Sequence, residues 1–454
     1  MAPGPAAAAA RCNKCHTIAF CSPACRAEGE VLHRVECFYV KKLGHLIVNL
    51  EILLLLRIVI ARWLETLSSQ KRGVEGTPVF DRMMHMQAHA ESQIDLLQTY
   101  APAVEDMLRV LPAEMKVAKE AMLIIVCICS VNQFAVGRPP AENESGEGQS
   151  KDGEGSGLFL TSAIVSHSCR ENAMHRTKGR RLAMLALEPI AAGSEITWSY
   201  LGNPLLPTQI RQRELYQTKV FLCQCERCLD LTECHLRAFA CKACNEGLLV
   251  PLPLTQAGIE TEEDRWRCDN AACGRAAGFA RDVERLEAGL VRRFEEAHAA
   301  LGATQDLAAA LQQLEAVIAD HAGPVMHPHH YLLLQIYLLH GELLRRKLDG
   351  RLPPLQAAGG GGGAGLSMNE DQRAAIRKQV EAGLRLAERL EAVADALLPG
   401  RHPLKADLFE GKAVLLARLR QLTIGRAEEE KGVSAQLAEA ERRAADNRRL
   451  FPDL

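Results

Sequence analysis

Hydrophobic residues recur every three or four positions over two long parts of the chain, residues 41–136 and residues from position 280 to the end. This is the spacing of helices that bury one face, so both parts are predicted to be mainly helical. Pro102 and Pro112 are expected to break the first part, because proline has no backbone N–H to donate. A shorter helix is predicted over residues 205–219.

Between these parts the pattern changes to short apolar runs separated by turn residues, which is typical of strands. The predicted strands are Gly157–Leu160, Leu182–Leu187 and Glu195–Tyr200. The most apolar stretch, Leu46–Leu64, is interrupted by charged residues at positions 51, 57 and 62. It is therefore predicted to be a buried helix and not a membrane span, and no membrane partner is expected.

The chain has 454 residues, of which 48% are hydrophobic and 24% are charged, and its formal net charge is −2. These values are ordinary for a globular protein, and the length predicts about two to four domains. The lack of a basic field disfavours a DNA-binding protein, so no direct nucleic-acid partner is expected. Gly137–Gly157 and Ala357–Gly365 are rich in small and polar residues, and both are predicted to be flexible connections.

All but three of the sixteen cysteines fall into groups with the spacing of zinc ligands. The groups are Cys12-x2-Cys15, Cys21-x3-Cys25, His33-x3-Cys37, Cys169, Cys223-x-Cys225-x2-Cys228, Cys241-x2-Cys244 and Cys268-x4-Cys273. Short spacers let one tight turn aim two sulfurs at one ion, so Zn²⁺ is the expected metal. No basic segment leads into a long apolar run at the start, so no signal peptide is recognised. The thiols are therefore expected to be reduced, in a protein of the cytoplasm, the nucleus or both.

Six motifs, in this order, resemble those of the SET and MYND family of protein lysine methyltransferases. Their overall sequence pattern is most similar to that of the arthropod-type members of this family. The motifs are Cys12–Cys37 as a MYND finger, Val131–Phe134, Gly157–Leu160, Ser166–Cys169 with Asn172, Gly193–Ile196 leading into Tyr200, and Phe221 with Cys223, Cys225 and Cys228. The resemblance is strong over residues 11–273 and looser through the helical C-terminal part.

This resemblance implies transfer of a methyl group from S-adenosyl-L-methionine to an exposed lysine of a histone or another protein. Tyr200 matches the catalytic tyrosine that orients the lysine amine. Asn132, Ser166 and His167 match cofactor-contacting positions, and Phe221 matches the aromatic residue that packs on the adenine. Cys169 matches the thiolate that shares one zinc with Cys223, Cys225 and Cys228.

The same resemblance implies that Cys12, Cys15, His33 and Cys37 fill one zinc site of the finger. Cys21 and Cys25 then belong to a second site whose first pair is missing. Only eleven residues precede Cys12, and none forms the Gly-rich cofactor segment of the family, so a shortened N-terminus is expected. Other departures from the family pattern are Ser166 in place of Asn, Glu171 in place of Pro, and Lys219 in place of a second channel tyrosine.

Some residues that could bind a ligand have a structural interpretation instead. Cys241, Cys244, Cys268 and Cys273 are predicted to form a ribbon-like zinc site, the alternative being one strained pair with free thiols. Cys127, Cys129 and Cys234 are predicted to be buried or incidental. The pair His329–His330 is expected to serve packing in a helical region.

The predicted fold class is α+β, a SET-type β fold with zinc-bound MYND and post-SET modules and an all-α C-terminal domain. The predicted segments are 11–37 (incomplete MYND-type finger), 38–136 (helical insert and start of the core SET domain), 137–157 (flexible acidic linker), 158–203 (core SET domain), 204–230 (post-SET zinc segment), 231–280 (cysteine-rich ribbon-like segment) and 281–454 (helical, TPR-like C-terminal domain). The competing functional class is a catalytically weak or inactive scaffold or transcriptional regulator. Its peptide partners would bind the finger or the helical array, which can form a concave surface.

Overall fold

The computed structural model describes residues 10–20, 22–71, 78–136, 155–178, 181–256, 265–273, 280–304, 306–323, 325–352, 355, 368–423 and 426–449. The chain divides into two compact units. Unit 1 comprises Met1–Val165 and His175–Ala183, and unit 2 comprises Ser166–Met174 and Met184–Leu454. The chain therefore passes from one unit to the other after Val165, after Met174 and after Ala183.

Unit 1 starts with a short hairpin and continues mainly as helices. Strands β1 (Ala10–Arg11) and β2 (Ala19–Phe20) pair antiparallel. The helices that follow are α1 (Pro23–Lys42), α2 (Leu50–Lys71), α3 (Pro78–Met84), α4 (Ile94–Val110) and α5 (Lys119–Asn132). Strands β3 (Gln133–Val136) and β4 (Gly155–Leu158) come next and also pair antiparallel.

The helices of unit 1 form where the sequence supplies caps and an apolar face. α1 begins at Pro23, and the side chain of Ser22 accepts a hydrogen bond of 3.1 Å from the backbone N–H of Cys25. A serine cap followed by proline is a favourable helix start. α2 and α5 pack together and bury fully Leu56 and Ile60 of α2 and Ile125 of α5. The Leu46–Leu64 stretch is thus mostly within a core helix, as predicted.

Pro102 lies inside α4 and does not break it, contrary to the sequence prediction. A proline in a helix interior removes one backbone hydrogen bond and costs about 3 kcal/mol. Burial of one large apolar side chain contributes about 1.5–3 kcal/mol. α4 buries Tyr100, Val104 and Met107, so packing outweighs the proline. Pro112 does follow the end of this helix, as predicted.

Unit 2 begins with the strands that carry the Ser166–Cys169 motif. β5 (Ser166–His167) pairs with β8 (Thr197–Trp198) in parallel, with His167 opposite Trp198. Between them in sequence lie β6 (Ala173–Lys178) and β7 (Arg181–Ala186), through which the division between the units passes. The helices α6 (Thr208–Lys219) and α7 (Glu226–Leu229) follow β8.

A small three-stranded sheet lies between α7 and the C-terminal helices. Its strands are β9 (Phe239–Ala240), β10 (Leu248–Pro251) and β11 (Trp266–Cys268), with β10 in the centre. The C-terminal helices are α8 (Ala280–Thr304), α9 (Leu307–His321), α10 (Tyr331–Asp349), α11 (Glu370–Leu397), α12 (Pro403–Leu422) and α13 (Ala427–Arg448). The sheet is bonded to this array: the Ala240 N–H donates to Val325 O over 2.8 Å.

Helices adjacent in sequence pack against each other through the array, and one buried core joins them to the small sheet. α11 starts with a reciprocal capping box between Asn369 and Gln372. Gly383 of α11 stands where a Cβ would lie 2.6 Å from Leu344 of α10 and 3.4 Å from Leu415 of α12. The three helices therefore approach closely at this glycine.

The predicted fold class is confirmed: the chain combines helices, several small sheets, grouped zinc-type cysteines and an all-helical C-terminal region. Within the described residues, no helix is long and apolar enough to cross a bilayer. Of the two predicted connections, residues 137–154 and the tract 357–365 lie outside the described residues. The last three residues of the first connection, 155–157, belong to strand β4.

Candidate functional site

Among the residues that the structure describes, three groups of four cysteine or histidine side chains meet closely enough to hold one metal ion each. In every group the ligand atoms all lie within 4.8 Å of one another. We call them the finger cluster (Cys12, Cys15, His33, Cys37), the core cluster (Cys169, Cys223, Cys225, Cys228) and the ribbon cluster (Cys241, Cys244, Cys268, Cys273). A tetrahedral zinc with Zn–S bonds of about 2.3 Å has sulfurs about 3.8 Å apart. The measured separations fit that ion.

The finger cluster joins the turn of the first hairpin to the middle of α1. Cys12 Sγ lies 3.8 Å from Cys37 Sγ, and Cys15 Sγ lies 3.9 Å from His33 Nε2. The hydrogen bond with His33 lowers the pKa of Cys12 to about 6. Because zinc binds the thiolate, this thiol is prepared as a ligand at neutral pH.

The other nitrogen of His33 is held by a buried carboxylate. His33 Nδ1 lies 2.8 Å from Glu36 Oε2, and the side chain of Glu36 is 1% exposed. Arg57 of α2 donates to the second oxygen of Glu36. A carboxylate behind a ligating histidine fixes the ring orientation and its tautomer. Glu36 and Arg57 are thus the outer support of the finger cluster.

Cys21 and Cys25 were predicted as a further half-site. Cys25 lies in the first turn of α1 and belongs to none of the three groups. Cys21 lies outside the described residues. In the part of the chain that the structure describes, the finger therefore brings together one four-ligand site.

The core cluster gathers cysteines that are far apart in sequence. Cys169 Sγ lies 3.5 Å from Cys228 Sγ and 4.0 Å from Cys223 Sγ. The backbone N–H of Cys169 donates to Cys225 Sγ over 3.4 Å. The hydrogen bond from the Cys169 thiol lowers the pKa of Cys225 well below the usual range of a cysteine. These contacts fasten the segment after α6 to the end of β5.

Buried charged side chains surround the core cluster. The guanidinium of Arg211 is fully buried, donates to Cys228 Sγ over 3.6 Å and pairs with Glu233. Arg227 pairs with the same carboxylate and donates to the carbonyl of Cys169 over 2.7 Å. A zinc with four thiolates carries a charge of about −2, so the two guanidinium groups balance a negative centre.

The ribbon cluster is formed by the turn before β10 and the end of β11. Cys241 Sγ lies 3.9 Å from Cys273 Sγ, and Cys244 Sγ lies 3.8 Å from Cys268 Sγ. The backbone N–H of Glu246 lowers the pKa of Cys244 to about 6. At Gly247 a Cβ would lie 2.7 Å from Cys268 Sγ, so the turn closes only around a glycine. The predicted set of four ligands comes together here.

Aromatic rings stand next to the core cluster in unit 2. The ring centre of His167 lies 5.1 Å from that of Tyr200 and 6.0 Å from that of Phe221. Burial raises the pKa of Tyr200, so its phenol stays neutral and can donate a hydrogen bond. Lys219 Nζ lies 5.6 Å from the centre of the Tyr200 ring, and burial lowers the pKa of Lys219. We call Tyr200, His167 and Phe221 the ring group, and the ammonium of Lys219 lies beside it.

The two other predicted cofactor residues stand at the end of α5 and in β5. Asn132 belongs to unit 1, where its side-chain amide donates to the carbonyls of Gln87 and Ile128 over 2.9 and 2.8 Å. Ser166 is exposed in β5, opposite Thr197. The unit 2 residues brought together with Tyr200 are therefore His167, Phe221 and Lys219.

Comparison with known proteins relates one part of the chain to a known domain. A model of the SET domain matches residues 21–201. The chain therefore contains a SET domain. The match confirms the SET part of the resemblance seen in the motifs. It ends one residue after Tyr200, so Phe221 and the last three core-cluster cysteines lie beyond it.

Similar proteins carry SET names as well. This SET-domain protein is 37% identical to the SET domain-containing protein SmydA-8, isoform B, of Drosophila melanogaster over 116 residues, 24% of each chain. It is 26% identical to the histone-lysine N-methyltransferase ASHR1 of Arabidopsis thaliana over 235 residues, 50% of this chain and 45% of that one. Identity to the N-lysine methyltransferase SMYD2 of Rattus norvegicus is 24% over 225 residues, 48% and 47% of the two chains. The SET-domain protein thus spans about a quarter to a half of the length of the curated relatives it matches.

The sequence analysis did not identify the residues that form hydrogen bonds or ion pairs around the candidate metal ligands. Glu36 follows His33 by three positions on α1, a spacing that could have suggested a supporting carboxylate. Arg211, Arg227 and Glu233 of this SET-domain protein carry no such signal, since they approach the core cluster only in the folded chain.

Proposed function

We propose that this SET-domain protein transfers a methyl group from S-adenosylmethionine to a lysine side chain of another protein. The observation that carries the proposal is the ring group of Tyr200, His167 and Phe221 beside the core cluster. Tyr200 lies within the residues that match the SET domain, and the resemblance implies that it is the catalytic residue. The named activities of ASHR1 and SMYD2 support the same reaction class.

The residues of the site would act by orienting and shielding the lysine amine. S-adenosylmethionine, when bound, supplies an electrophilic methyl group on a sulfonium. The amine must be neutral to attack, and removal from water favours its neutral form. The phenol of Tyr200, kept neutral by burial, can hold the amine by a hydrogen bond. The ring of Phe221, 6.3 Å from that of Tyr200, would exclude water beside it.

We further propose a zinc ion in each cluster and a MYND-type role for the finger cluster. The separations of the sulfur atoms fit zinc, and the His33–Glu36 pair is the support that a ligating histidine needs. Peptide partners would then bind the finger or the C-terminal helices. Grouped reduced thiols favour a reducing compartment, the cytoplasm or the nucleus.

Replacement of Tyr200 tests the reaction. Tyr200→Phe removes one hydroxyl and little volume, so the fold should persist while the lysine loses its anchor. We expect methyl transfer from radiolabelled S-adenosylmethionine to a panel of proteins to fall about tenfold or more. The zinc-loaded full chain is assayed, with zinc content and thermal unfolding measured alongside.

The control is Tyr331→Phe, at the start of α10, which should change the rate by less than about twofold. Equal activity of wild type and Tyr200→Phe would contradict the role of Tyr200.

A second candidate function is an interaction scaffold without catalysis. The observation that favours it is Lys219, whose ammonium lies by the Tyr200 ring and would repel a charged substrate lysine that approaches the site. Lys219→Tyr separates the two functions. If only the variant transfers methyl groups, the native chain is a scaffold, and robust transfer by wild type rejects that alternative.

A further inference from the structure

Both ring nitrogens of His167 are engaged. Nδ1 accepts a hydrogen bond from the backbone N–H of Tyr200 over 3.0 Å. Nε2 lies 3.2 Å from Cys169 Sγ. One imidazole therefore spans the gap between a sulfur of the core cluster and the main chain of Tyr200.

The direction of the two hydrogen bonds follows from the chemistry of imidazole. A backbone N–H can only donate, so Nδ1 is the acceptor and a neutral ring carries its hydrogen on Nε2. Nε2–H then donates to the sulfur of Cys169. A thiolate is a stronger acceptor than a thiol because it is charged, so this bond is stronger to a zinc-bound thiolate than to a neutral Cys169 thiol.

Strand pairing does not extend to Tyr200. Strand β8 spans Thr197–Trp198, and the Ser168 N–H donates to Trp198 O over 3.1 Å beyond the paired residues. Tyr200 lies two residues further along. The His167 ring is thus a hydrogen-bonded link from this part of the main chain back to β5.

We propose that His167 is a positioning residue that fixes the main chain of Tyr200 to the core cluster, so that zinc loading determines where the Tyr200 phenol stands. The catalytic consequence of this coupling rests on the proposed methyl transfer. The side chain of His167 is then committed to the link, and the cofactor contact expected at this position is left to its main chain.

Two conservative variants separate the ends of the link. In His167→Asn the side-chain oxygen takes the place of Nδ1 and keeps the bond to Tyr200, but nothing reaches Cys169. In His167→Gln the amide N–H takes the place of Nε2 and keeps the bond to Cys169, but Tyr200 loses its acceptor. His167→Ala removes both, and His321→Ala, whose ring bonds Val317 O within its own helix, is the matched control.

Amide hydrogen exchange at Tyr200 and zinc release from the core cluster are the readouts. Alkylation of Cys169, followed by mass spectrometry, identifies the cluster that opens. We expect exchange at Tyr200 to be about fivefold faster or more in the Ala and Gln variants, and near wild type in Asn. Release of the core-cluster zinc should be about tenfold faster in the Ala and Asn variants, and near wild type in Gln.

Chelation provides a test of the coupling itself. Removing zinc should accelerate exchange at Tyr200 in wild type and add little in His167→Ala, while exchange in α11 reports that the helical array stays folded. Unchanged exchange at Tyr200 in the Ala and Gln variants overturns the proposal. So does an Asn variant that matches Gln in both readouts.

Methyl transfer is measured in the same variants but decides a different question. If transfer is present, His167→Gln should lower kcat about fivefold with little change in KM, because positioning and not binding is lost. If no variant and no wild type transfers methyl groups while exchange responds as expected, the link stands and the proposed reaction fails.

Discussion

Cys169 contacts both the other cysteines of the core cluster and the ring group of unit 2. Its sulfur faces Cys223 and Cys228 on one side and the ring of His167 on the other. Its backbone carbonyl accepts from the buried guanidinium of Arg227. A change at this one position should therefore be detected both in metal content and in distant parts of the chain.

Cys169→Ser is expected to release about one zinc per chain, because a neutral hydroxyl is a poor zinc ligand. The segment 219–230, which the proposed zinc would hold, should become more sensitive to limited proteolysis. Zinc is counted by elemental analysis of the purified chain, and cleavage sites by mass spectrometry. Cys127→Ser, a buried thiol of α5 outside the clusters, is the control and should keep its zinc. Unchanged zinc and unchanged cleavage in Cys169→Ser would exclude Cys169 as a ligand.

At this scale the sequence predicted ligands better than their surroundings. The sets at Cys12, Cys169 and Cys241 follow from spacers of a few residues and from family order, and the structure assembles all three sets. Arg211 and Glu233 are 22 positions apart, and nothing in their neighbours marks them as partners. The charged side chains around the cluster come together only in the folded chain and follow no local spacing. The sequence alone therefore did not predict them.

At the scale of elements, the close contact of α10, α11 and α12 at Gly383 limits what can stand there. A leucine side chain would have to displace Leu344 and Leu415. Overpacking of this kind costs about 1–3 kcal/mol. We expect Gly383→Leu to lower the midpoint of thermal unfolding. The helical signal in far-ultraviolet circular dichroism measures this midpoint.

The matched control is another glycine in a helix interior. Gly411 of α12 is exposed, and a Cβ there meets nothing within 4 Å. Gly411→Ala should stabilise the array by about 0.5–1 kcal/mol, since alanine is the better helix former. A stabilising Gly383→Leu would show that the three helices are not closely packed at that point.

The elements predicted correctly are those with a strong local signal. Residues 205–219 show helical spacing and become α6, and the strand predicted at Leu182–Leu187 corresponds to β7 at Arg181–Ala186. Pro102 was assigned as a break because the rule considers the backbone alone. Packing of Tyr100, Val104 and Met107 decides the matter, and that packing depends on helices remote in sequence.

At the scale of the whole molecule, His330 couples the stability of unit 2 to acid. Its ring is buried, accepts from the Leu332 N–H at the start of α10 and lies 4.9 Å from the ring of Phe239. Burial lowers the pKa of His330 from 6.5 to about 3. The expected structural use of this histidine agrees with these contacts.

Between pH 6.5 and pH 3 the unfolded chain binds a proton at His330 that the folded chain does not. Acid therefore favours unfolding, by up to about 1.4 kcal/mol per pH unit for this one group. His330→Asn keeps a good helix cap and should reduce the pH dependence of the unfolding free energy by about that amount. Urea unfolding at several pH values between 6.5 and 5 measures it, with His85→Asn, an exposed position, as control. An unchanged slope in His330→Asn would contradict the assignment.

The division into two units was not among the sequence predictions. Composition suggested boundaries at the polar connections, whereas the chain changes unit after Val165, Met174 and Ala183, inside the part that matches the SET domain. No local sequence pattern marks those positions.

The order in which the core cluster is completed has a consequence for synthesis. Cys169 and Cys228 are separated by 59 positions, and a ribosome adds about 5–20 residues per second. Cys169 is therefore synthesised about 3–12 s before its last partner. Until the cluster closes, oxidants and glutathione compete with zinc for this sulfur, so the yield of intact protein should depend on the redox state of the cell during translation.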